Sequence, residues 1–484
     1  MLGFASKSDF RTVIEQSLAS GNLETALRNV EQLVDQVFCE PLNTAEIFGD
    51  RFLDDVCQRI GRVRLTNVLS AESVPKSAVP TRERSGRVVY IASKLQASGG
   101  HTAVLADLAR LSGRAGTVLL TGIGGPTNRR AIHHRFSGIS DLQFEFAPKG
   151  GRLKKLDWLQ RRLFELRPSV VWLLNHHQDS VAIAAVQPDQ GYTLNYLHHG
   201  DHNLCLGVFL DYGEHFDPHP MGFHNCRHVL SIPTNKYLPL VVKDLGYSSK
   251  PNTAARKGPL VTCTAARRNK VERPYWLSYA DVVPEILRQT EGRHIHIGKL
   301  TLGFRLRIWC NLKRAGIDPT SFVYIPYVNS VWKTLHDQAV DIYIASFPYG
   351  GARTLVEVLG AGVPIAIHSH SSKRFLSALD MAPDGALIWR EPGELTELLG
   401  RQSREELAVL SAKARLHYER FHSESALKNM LEGNPSELPV SPGDAAYRID
   451  RLRQALDIAH QVTFSGVIAR RALRLVRRFK TMIG

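Results

Sequence analysis

Apolar residues along this chain follow two patterns in turn. Between residues 8 and 70 they recur at helical spacing, as in Phe10, Ile14 and Leu18, which predicts an all-helical amino-terminal region. From Arg87 onward, short apolar runs alternate with helix-like stretches. That alternation is typical of a parallel β-sheet wrapped by helices.

The apolar runs form two sets, separated by a polar stretch at 246–257. Each set predicts a Rossmann-like domain. The runs are 88–93, 117–122, 169–174, 192–198 and 228–232 in the first set, and 259–264, 294–298, 321–326, 340–346, 364–368 and 386–389 in the second. The predicted organisation is a helical region at 1–70, a linker at 71–86, a Rossmann-like domain at 87–245, a linker at 246–257, a second Rossmann-like domain at 258–432, and a Pro-rich break with a basic helical tail at 433–484.

Composition narrows the class of protein. With 484 residues, 43% of them hydrophobic and 22% charged, the chain is neither disordered nor fibrous. Lys and Arg number 61 against 46 Asp and Glu, and the resulting charge of +15 favours an anionic partner such as a phosphorylated substrate, a nucleic acid or a membrane surface. Six cysteines occur without a C-x-x-C pair, so reduced thiols are expected rather than a disulfide scaffold or a zinc module.

The chain shows no targeting or membrane-spanning pattern. Its first residues lack a basic segment followed by an apolar run, and no apolar run reaches the length of about 18 residues that spans a bilayer. We therefore expect a cytoplasmic protein, attached at most to the cytoplasmic face of the inner membrane.

Loops at the carboxyl ends of parallel strands are the usual ligand sites in open α/β sheets. The first such loop holds Gly99, Gly100 and His101, directly before a predicted helix. Paired glycines let backbone amides approach a phosphate or a sugar at a helix N-terminus. A tight turn between strand and helix would use the same glycines.

The loop after the run at 192–198 is rich in histidine. His199, Asp201 and His202 can supply a general base, hydrogen bonds to a diphosphate, or metal ligands. No further His/Cys cluster has the spacing of a known metal site, so no metal is expected. A structural polar loop is the alternative, because the chain contains 20 histidines.

A basic loop follows the run at 259–264. Arg267 or Arg268 offers a planar fork of donors and Lys270 a point charge, which together suit a diphosphate. A solvated basic loop is the ordinary alternative.

The most specific motif spans 347–364, where a strand ends in a glycine pair and a helix follows. Helix amides and a threonine hydroxyl at such a turn bind phosphates, and a glutamate one turn into the helix can accept both hydroxyls of a ribose. The glutamate would otherwise be a surface carboxylate favoured by the helix dipole. The candidate residues are Gly350, Gly351, Arg353, Thr354 and Glu357.

Residues 258–400 resemble the carboxyl-terminal domain of GT-B glycosyltransferases, and 87–245 resembles their acceptor domain through its glycine loop. This resemblance implies two Rossmann-like domains facing a cleft, with a nucleotide-sugar in the carboxyl-terminal half and an acceptor in the other. Segment 346–364 is similar to the family of the O-GlcNAc transferases and the bacterial cytoplasmic N-glycosyltransferases. The functional residues of that family correspond to Gly351, Thr354, Glu357 and, for the diphosphate, Lys270.

Two positions depart from these families. Tyr349 stands where many retaining GT-B enzymes carry a glutamate, which favours an inverting reaction, and Ala352 stands where the O-GlcNAc transferases have a histidine. The resemblance implies a UDP-sugar donor and neither a metal nor another cofactor. An inverting reaction needs a base for the acceptor, and the candidates are His199, Asp201 and His202.

The last segment, 466–484, has an amphipathic pattern in which five arginines lie on one side at helical spacing and apolar residues on the other. Such a helix suits the surface of an anionic membrane. A helix packed back on the protein with a solvated basic face is the alternative.

Three functions remain open from the sequence. The first is a metal-independent glycosyltransferase of bacterial surface polysaccharide synthesis (lipopolysaccharide, capsule or exopolysaccharide), acting on a saccharide or lipid-linked acceptor. The second is a cytoplasmic protein glycosyltransferase that modifies a polypeptide, and the third is a non-catalytic nucleotide-binding protein. A nucleic-acid partner is not expected, because no recognised module and no interleaving of basic and aromatic residues occurs.

Overall fold

The chain divides into two compact units, the first comprising Met1–Val241 and Glu424–Leu438 and the second built on Val242–Ser423. Each unit holds one parallel sheet with helices between its strands, so the expected α/β fold with two Rossmann-like domains is confirmed. The computed structural model describes residues 7–39, 47–72, 83–96, 99–247, 259–273, 275, 277–369 and 378–439.

The first unit is organised around a parallel sheet of seven strands. They are β1 (Ser85–Ala92), β2 (Gly116–Leu120), β3 (Leu142–Phe146), β4 (Pro168–Leu174), β5 (Thr193–Leu197), β6 (Glu214–Asp217) and β7 (Lys236–Tyr237). Their order is β3-β2-β1-β4-β5-β6-β7, which is a doubly wound Rossmann sheet with one strand added at its edge. The strand order reverses between β1 and β4, so the loops after these two strands lie at the switch point where such sheets bind ligands.

Eight helices precede or connect these strands in the described part of the chain. They are α1 (Lys7–Ala19), α2 (Leu23–Cys39), α3 (Arg51–Ala71), α4 (Gly100–Ser112), α5 (Arg129–Phe136), α6 (Arg152–Leu166), α7 (Ser180–Ala185) and α8 (Pro220–His228). Aspartates cap two of them: Asp50 accepts from the amide of Phe52 at 3.1 Å before α3, and Asp179 from that of Ala182 at 2.9 Å before α7.

The amino-terminal helices share one hydrophobic core with the first sheet. Ile14 and Ile60 are buried in the same cluster as Leu173 of β4. A Cβ atom on Gly61 would overlap the carbonyl oxygen of Ala184, so α3 approaches α7 closely because this residue is glycine. The helical region predicted at 1–70 therefore packs as part of the first unit.

The second unit contains a parallel sheet of six strands. They are β8 (Val261–Ala265), β9 (Arg293–Ile297), β10 (Phe322–Ile325), β11 (Ile342–Ile344), β12 (Ile365–His368) and β13 (Leu387–Trp389), and their order is β10-β9-β8-β11-β12-β13. Its helices are α9 (Arg268–Val271), α10 (Tyr279–Thr290), α11 (Leu302–Arg314), α12 (Val331–Asp337), α13 (Ala352–Gly360), α14 (Pro392–Arg401) and α15 (Arg404–Phe421), with 3-10 turns at Pro319–Ser321 and Leu379–Met381. Buried residues of α10 and α14, such as Ile286 and Leu395, share a core with Ile344.

Helix α16 (Glu424–Leu431) belongs to the first unit, although the sequence predicts it at the end of a domain spanning 258–432. Arg110 of α4 donates to the carboxylate of Glu424 at 2.6 Å. The chain thus returns to the first unit after Ser423, a step for which local sequence carries no signal.

The strands at one side of the first sheet differ from those predicted. The apolar run at 228–232 is not a strand: it closes α8, and the amide of Ile232 donates to the carbonyl of Cys226 at 2.9 Å. Strand β6 takes its place in the sheet with the sequence Glu-His-Phe-Asp. Because three of its four residues are polar, a search for apolar runs does not detect this strand.

Some expectations fall on parts of the chain that the structure does not describe. The tail segment 466–484 lies outside the described residues, as do 73–82 of the first linker and 248–257 of the second. Among the helices that are described, none is both long and apolar enough to cross a membrane.

Candidate functional site

In the second unit, the glycine pair after β11 lies beside the basic loop after β8. The two strands are parallel neighbours, so both loops leave the sheet at the same edge. The Nζ atom of Lys270 donates to the carbonyl oxygen of Gly350. A Cβ atom on Gly351 would lie 3.3 Å from the same Nζ and would crowd it. Residues 80 positions apart in sequence are thereby brought together as the sequence predicts.

The ammonium group of Lys270 is suited to binding an anion. Burial, helped by the positive charge of Arg267, lowers the pKa of Lys270 to about 8. An anion that takes the place of lost water at this site would stabilise the charged form. Arg267 is the N-cap residue of α9, on the loop that carries the lysine.

Helix α13 begins at the same place. Gly351 is its N-cap residue, and the half-buried Arg353 and Thr354 lie in its first turn. The first amides of a helix have no acceptor within the helix, and the helix dipole adds partial positive charge. Lys270 and the start of α13 therefore form a cationic pocket edge suited to a phosphate group.

Glu357 is neither a surface carboxylate nor wholly available to a ligand. Its Oε2 atom accepts from the amides of Val331 at 3.0 Å and Trp332 at 3.2 Å, and so caps the start of α12. Among the described residues, no hydrogen bond uses its Oε1 atom. One oxygen fixes the carboxylate, and the other can accept further hydrogen bonds.

Arg273 borders this site, beside Tyr349 of the glycine motif, without having been predicted. The guanidinium of Arg273 lies 5.5 Å from the centre of the Tyr349 ring, and its Nε atom donates to the carbonyl of Asn269 at 3.0 Å. The signal in the sequence is an additional arginine three positions after Lys270.

In the first unit, three histidines from three loops meet at the carboxyl edge of the sheet; we call them the histidine cluster. They are His101 at the start of α4, His176 after β4 and His199 after β5. The ring centres of His101 and His176 are 4.7 Å apart, and those of His101 and His199 are 4.5 Å apart. The Nε2 atom of His101 donates to the carbonyl of Leu174, which fixes its ring.

The histidine cluster is neutral at physiological pH. Burial lowers the pKa of His101 to about 4 and that of His176 to about 2, and it lowers the pKa of His199 well below 6.5, with the neighbouring histidines adding to the shift. Neutral imidazoles hydrogen-bond hydroxyl groups and accept protons without attracting anions.

The glycines before α4 are not required by packing against the described residues. A Cβ atom on Gly99 or Gly100 would meet no atom within 4 Å. The space above them is therefore compatible with a ligand approaching the backbone beside His101.

Asp201 is buried, whereas a general base is expected to be accessible to the acceptor. Its side chain is fully buried, and its Oδ2 atom lies 2.6 Å from Nδ1 of His219. Burial would raise the pKa of Asp201, but His219 and His202 outweigh it and bring the pKa to about 2. A Cβ atom on Gly222 would overlap Oδ2, so α8 rests on this carboxylate. Asp201 is thus an ionised residue that positions His219.

His202 and His219 are the exposed partners of that carboxylate. The His202 Nδ1 atom lies 3.7 Å from Oδ1 of Asp201, and the side chains of His202 and His219 are 36% and 22% exposed. The sequence placed His202 in the site, whereas His176 and His219 were not predicted. A histidine pair after the run at 169–174 was the available signal for His176.

No protein-family model and no curated protein sequence matches this chain. Among solved structures, Anabaena HepE in complex with UDP is similar, with a TM-score of 0.55, 13% identity, and coverage of 72% of this chain and 98% of HepE. HepE in complex with UDP and glucose gives a TM-score of 0.52 and 11% identity over 72% of this chain and 99% of HepE. A mutant O-GlcNAc transferase from Thermobaculum terrenum gives 0.45 and 14% identity over 93% of this chain and 85% of that protein.

At such low identity the HepE structures establish a common fold, and the resemblance to GT-B proteins is confirmed at that level. The lower TM-score of the third match leaves the narrower resemblance to the O-GlcNAc transferases as a prediction.

Proposed function

We propose that this protein is a glycosyltransferase that moves a sugar from a nucleotide-sugar, with a UDP-sugar as the best candidate, to an acceptor. The observation that carries the proposal is the meeting of Lys270 with the Gly350–Gly351 turn at the start of α13. A half-buried ammonium beside the first amides of a helix, at the carboxyl edge of a Rossmann sheet, is suited to a diphosphate. HepE, which has the same fold, was crystallised with UDP, and this supports the choice of nucleotide.

Each proposed donor residue would hold a particular part of the nucleotide. Arg267 and Lys270 face the diphosphate, Arg353 and Thr354 bind it from the first turn of α13, and Glu357 binds the ribose through Oε1. As the bond between sugar and diphosphate breaks, its electron pair passes to the diphosphate oxygen. Lys270 and the helix amides stabilise that developing charge, so the reaction needs no metal at this site.

We assign the general base to His219, with His199 as the second candidate. The Nδ1–H group of His219 donates to the buried carboxylate of Asp201, and a histidine oriented by a carboxylate in this way is a common general base. The base would remove the proton of the acceptor hydroxyl or amide as that group attacks the sugar, giving inversion. Gly99, Gly100 and His101 are proposed to contact the acceptor.

One observation favours a lipid-linked or membrane-proximal acceptor, as in bacterial surface polysaccharide synthesis. Leu302, Leu306 and Trp309 of α11 are 66%, 54% and 50% exposed, and their spacing places them on one side of the helix. Arg305 and Lys313 flank them, and α11 contains no acidic residue. Exposed leucine and tryptophan beside basic residues are typical of helices that lie on an anionic membrane.

This membrane proposal is tested by sedimentation with vesicles of phosphatidylglycerol. Binding is expected for the full chain and should fall in the Leu306→Asp variant, with the exposed Val409→Asp on α15 as the matched control. Equal sedimentation of all three proteins would contradict it, and glycosylation of peptides by the chain would instead favour the protein-modifying alternative.

The central proposal is tested by screening nucleotide-sugars for thermal stabilisation, followed by calorimetry with UDP. We expect Lys270→Ala to weaken UDP binding by roughly 10- to 100-fold, the value of a charge-assisted hydrogen bond. Lys333→Ala, at an exposed position of α12, is the control. Unchanged UDP affinity in Lys270→Ala would refute the donor site, and binding without UDP release from any nucleotide-sugar would favour the non-catalytic alternative.

A further inference from the structure

Beneath the loop at 198–202 lie four side chains that the proposed reaction does not use. They are His198 at the end of β5, His215 and Asp217 in β6, and Cys226 in α8, and all four are buried. One ligand atom from each lies within 4.8 Å of those of the other three. We propose that these residues hold a structural zinc ion, and we call the group the zinc cluster.

Four of the six distances between ligand atoms in the zinc cluster are close to those of tetrahedral coordination. The Oδ1 atom of Asp217 lies 3.1 Å from Nδ1 of His198, 3.2 Å from Nε2 of His215 and 3.3 Å from Sγ of Cys226. The Nδ1 atom of His198 also lies 3.2 Å from that Sγ. Ligand atoms at ordinary zinc distances and tetrahedral angles would be roughly 3.3–3.6 Å apart. A slight expansion about a common centre is enough to admit the ion.

The residue types select zinc and give a neutral site. Two neutral imidazoles, one thiolate and one carboxylate balance the two positive charges of the ion, so the bound site can be buried without a net charge. Sulfur and nitrogen ligands disfavour calcium and magnesium, which prefer oxygen. Binding displaces the thiol proton of Cys226 to solvent. Four protein ligands leave no open position, so the ion would be structural.

A second layer of contacts orients one of the ligands. Asn235 donates through Nδ2 to the Oδ2 atom of Asp217 at 2.7 Å and to the carbonyl of Phe223 at 2.9 Å. A carboxylate that ligates a metal is commonly hydrogen-bonded through its other oxygen by such an outer partner. The loop before β7 is thereby joined to the same centre as β5, β6 and α8.

The zinc cluster is adjacent in the chain to the residues that carry the proposed general base. His198 directly precedes His199 and Asp201 in the chain, and His219 lies between Asp217 and Cys226. An ion that ties these segments together would fix the distance between the Asp201 carboxylate and the His219 ring. The zinc site does not depend on the reaction that the protein performs.

Metal content of the purified full-length chain tests the proposal. We expect about one zinc per chain, and less than half of that in both Cys226→Ser and His215→Gln. Cys205→Ser is the matched control, because Cys205 is a buried cysteine of the same unit outside the cluster, and its zinc content should be unchanged. Zinc absent from the native chain even after incubation with Zn²⁺, or retained in full by both cluster variants, would overturn the proposal.

Cobalt replaces zinc as a spectroscopic probe and keeps the test decisive if a variant fails to fold. The native chain loaded with Co²⁺ should show the strong visible absorption of a tetrahedral ion and a charge-transfer band from one thiolate. The charge-transfer band should disappear in Cys226→Ser and persist in Cys205→Ser. A native chain that gives no thiolate band, or a band that survives in Cys226→Ser, would refute the assignment of the ligands.

Discussion

The two candidate sites are built in opposite ways. In the second unit, the candidate phosphate site consists of helix amides, a glycine pair and one half-buried cation, Lys270. In the first unit, chemistry is assembled from side chains on separate loops, with His101, His199 and His219 far apart in the sequence. Backbone amides and one charge suffice to hold a diphosphate, whereas proton transfer requires specific groups at specific angles.

The two sites also differ in charge: the lysine of one is charged at neutral pH, and the histidines of the other are neutral. Lys270 keeps its charge at neutral pH although burial lowers its pKa to about 8, whereas burial keeps the histidine cluster neutral. We therefore expect changes in the second unit to act on nucleotide affinity and changes in the first unit to act on turnover. The following predictions test that division, from the largest expected effect to the smallest.

Replacing His219 by alanine should lower kcat by roughly 10²- to 10⁴-fold, the usual contribution of a general base. UDP affinity should stay unchanged, because the residue belongs to the first unit. Release of UDP from the stabilising nucleotide-sugar, with acceptor or with water, measures the effect. His228→Ala, at an exposed position of α8, is the control. If His199→Ala shows the larger loss, the base assignment moves to His199.

UDP affinity should fall by up to about tenfold per pH unit as pH rises above 8, because the free protein then loses the proton of Lys270. The Lys270→Arg variant should show a flatter profile, since a guanidinium stays charged. Calorimetry from pH 7 to about pH 10 measures both. A steep decline in the arginine variant as well would assign the effect to another group.

The lowered pKa of Lys270 also makes the free energy of unfolding depend on pH. The pKa of Lys270 is lowered from 10.5 to about 8, so between these values the unfolded chain binds more protons than the folded one. The contribution of Lys270 to the free energy of unfolding therefore rises with pH in this window. Chemical denaturation of the unliganded protein should show the rise, and Lys270→Met should lack it.

The ribose contact should be visible as discrimination between UDP and 2′-deoxy-UDP. We expect the native chain to bind UDP about tenfold more tightly, from one or two hydrogen bonds to Glu357, and Glu357→Ala to lose that preference. Because Glu357 also caps α12, its loss should lower stability by about 1 kcal/mol. Ser330→Ala, which removes the other cap of α12, controls for stability alone. Retained discrimination in Glu357→Ala would exclude the ribose role.

The smallest effect is expected at Gly351. A methyl group there would lie 3.3 Å from the Lys270 ammonium, so Gly351→Ala should displace the lysine slightly and weaken UDP binding by about threefold. Gly303→Ala on α11, where a Cβ atom meets no described atom within 4 Å, is the control. A loss in Gly351→Ala as large as in Lys270→Ala would mean that the glycine, rather than the lysine, is the main determinant.

The fold was predictable where burial is visible in the sequence. Strand β12 lies inside the run at 364–368, and β8 and β9 overlap the runs at 259–264 and 294–298, because central parallel strands are covered on both sides. Strand β6 could not be found this way, since its residues include Glu214 and Asp217. The return of α16 to the first unit also escaped prediction, because it depends on long-range contacts such as Arg110 with Glu424.

The candidate sites were predictable to different depths. Gly351 and Lys270 meet as predicted because β8 and β11 are adjacent in a Rossmann sheet, and the strand order follows from the fold class. Asp201 was identified as part of a site but not in its position, since its burial depends on tertiary packing such as that against Gly222. The zinc cluster had no signal at all: its four ligands share no known spacing and converge through the pairing of β5 with β6.

By itself, the sequence determined the class of the fold and the two-part organisation, and it predicted the phosphate-binding motif. Each of these depends on local periodicity or on a short run of residues whose backbone does the binding. Tertiary structure alone decided which histidines meet, which carboxylate is buried and which histidine that carboxylate orients. Those properties depend on distances between side chains from separate strands, and no local pattern encodes such distances.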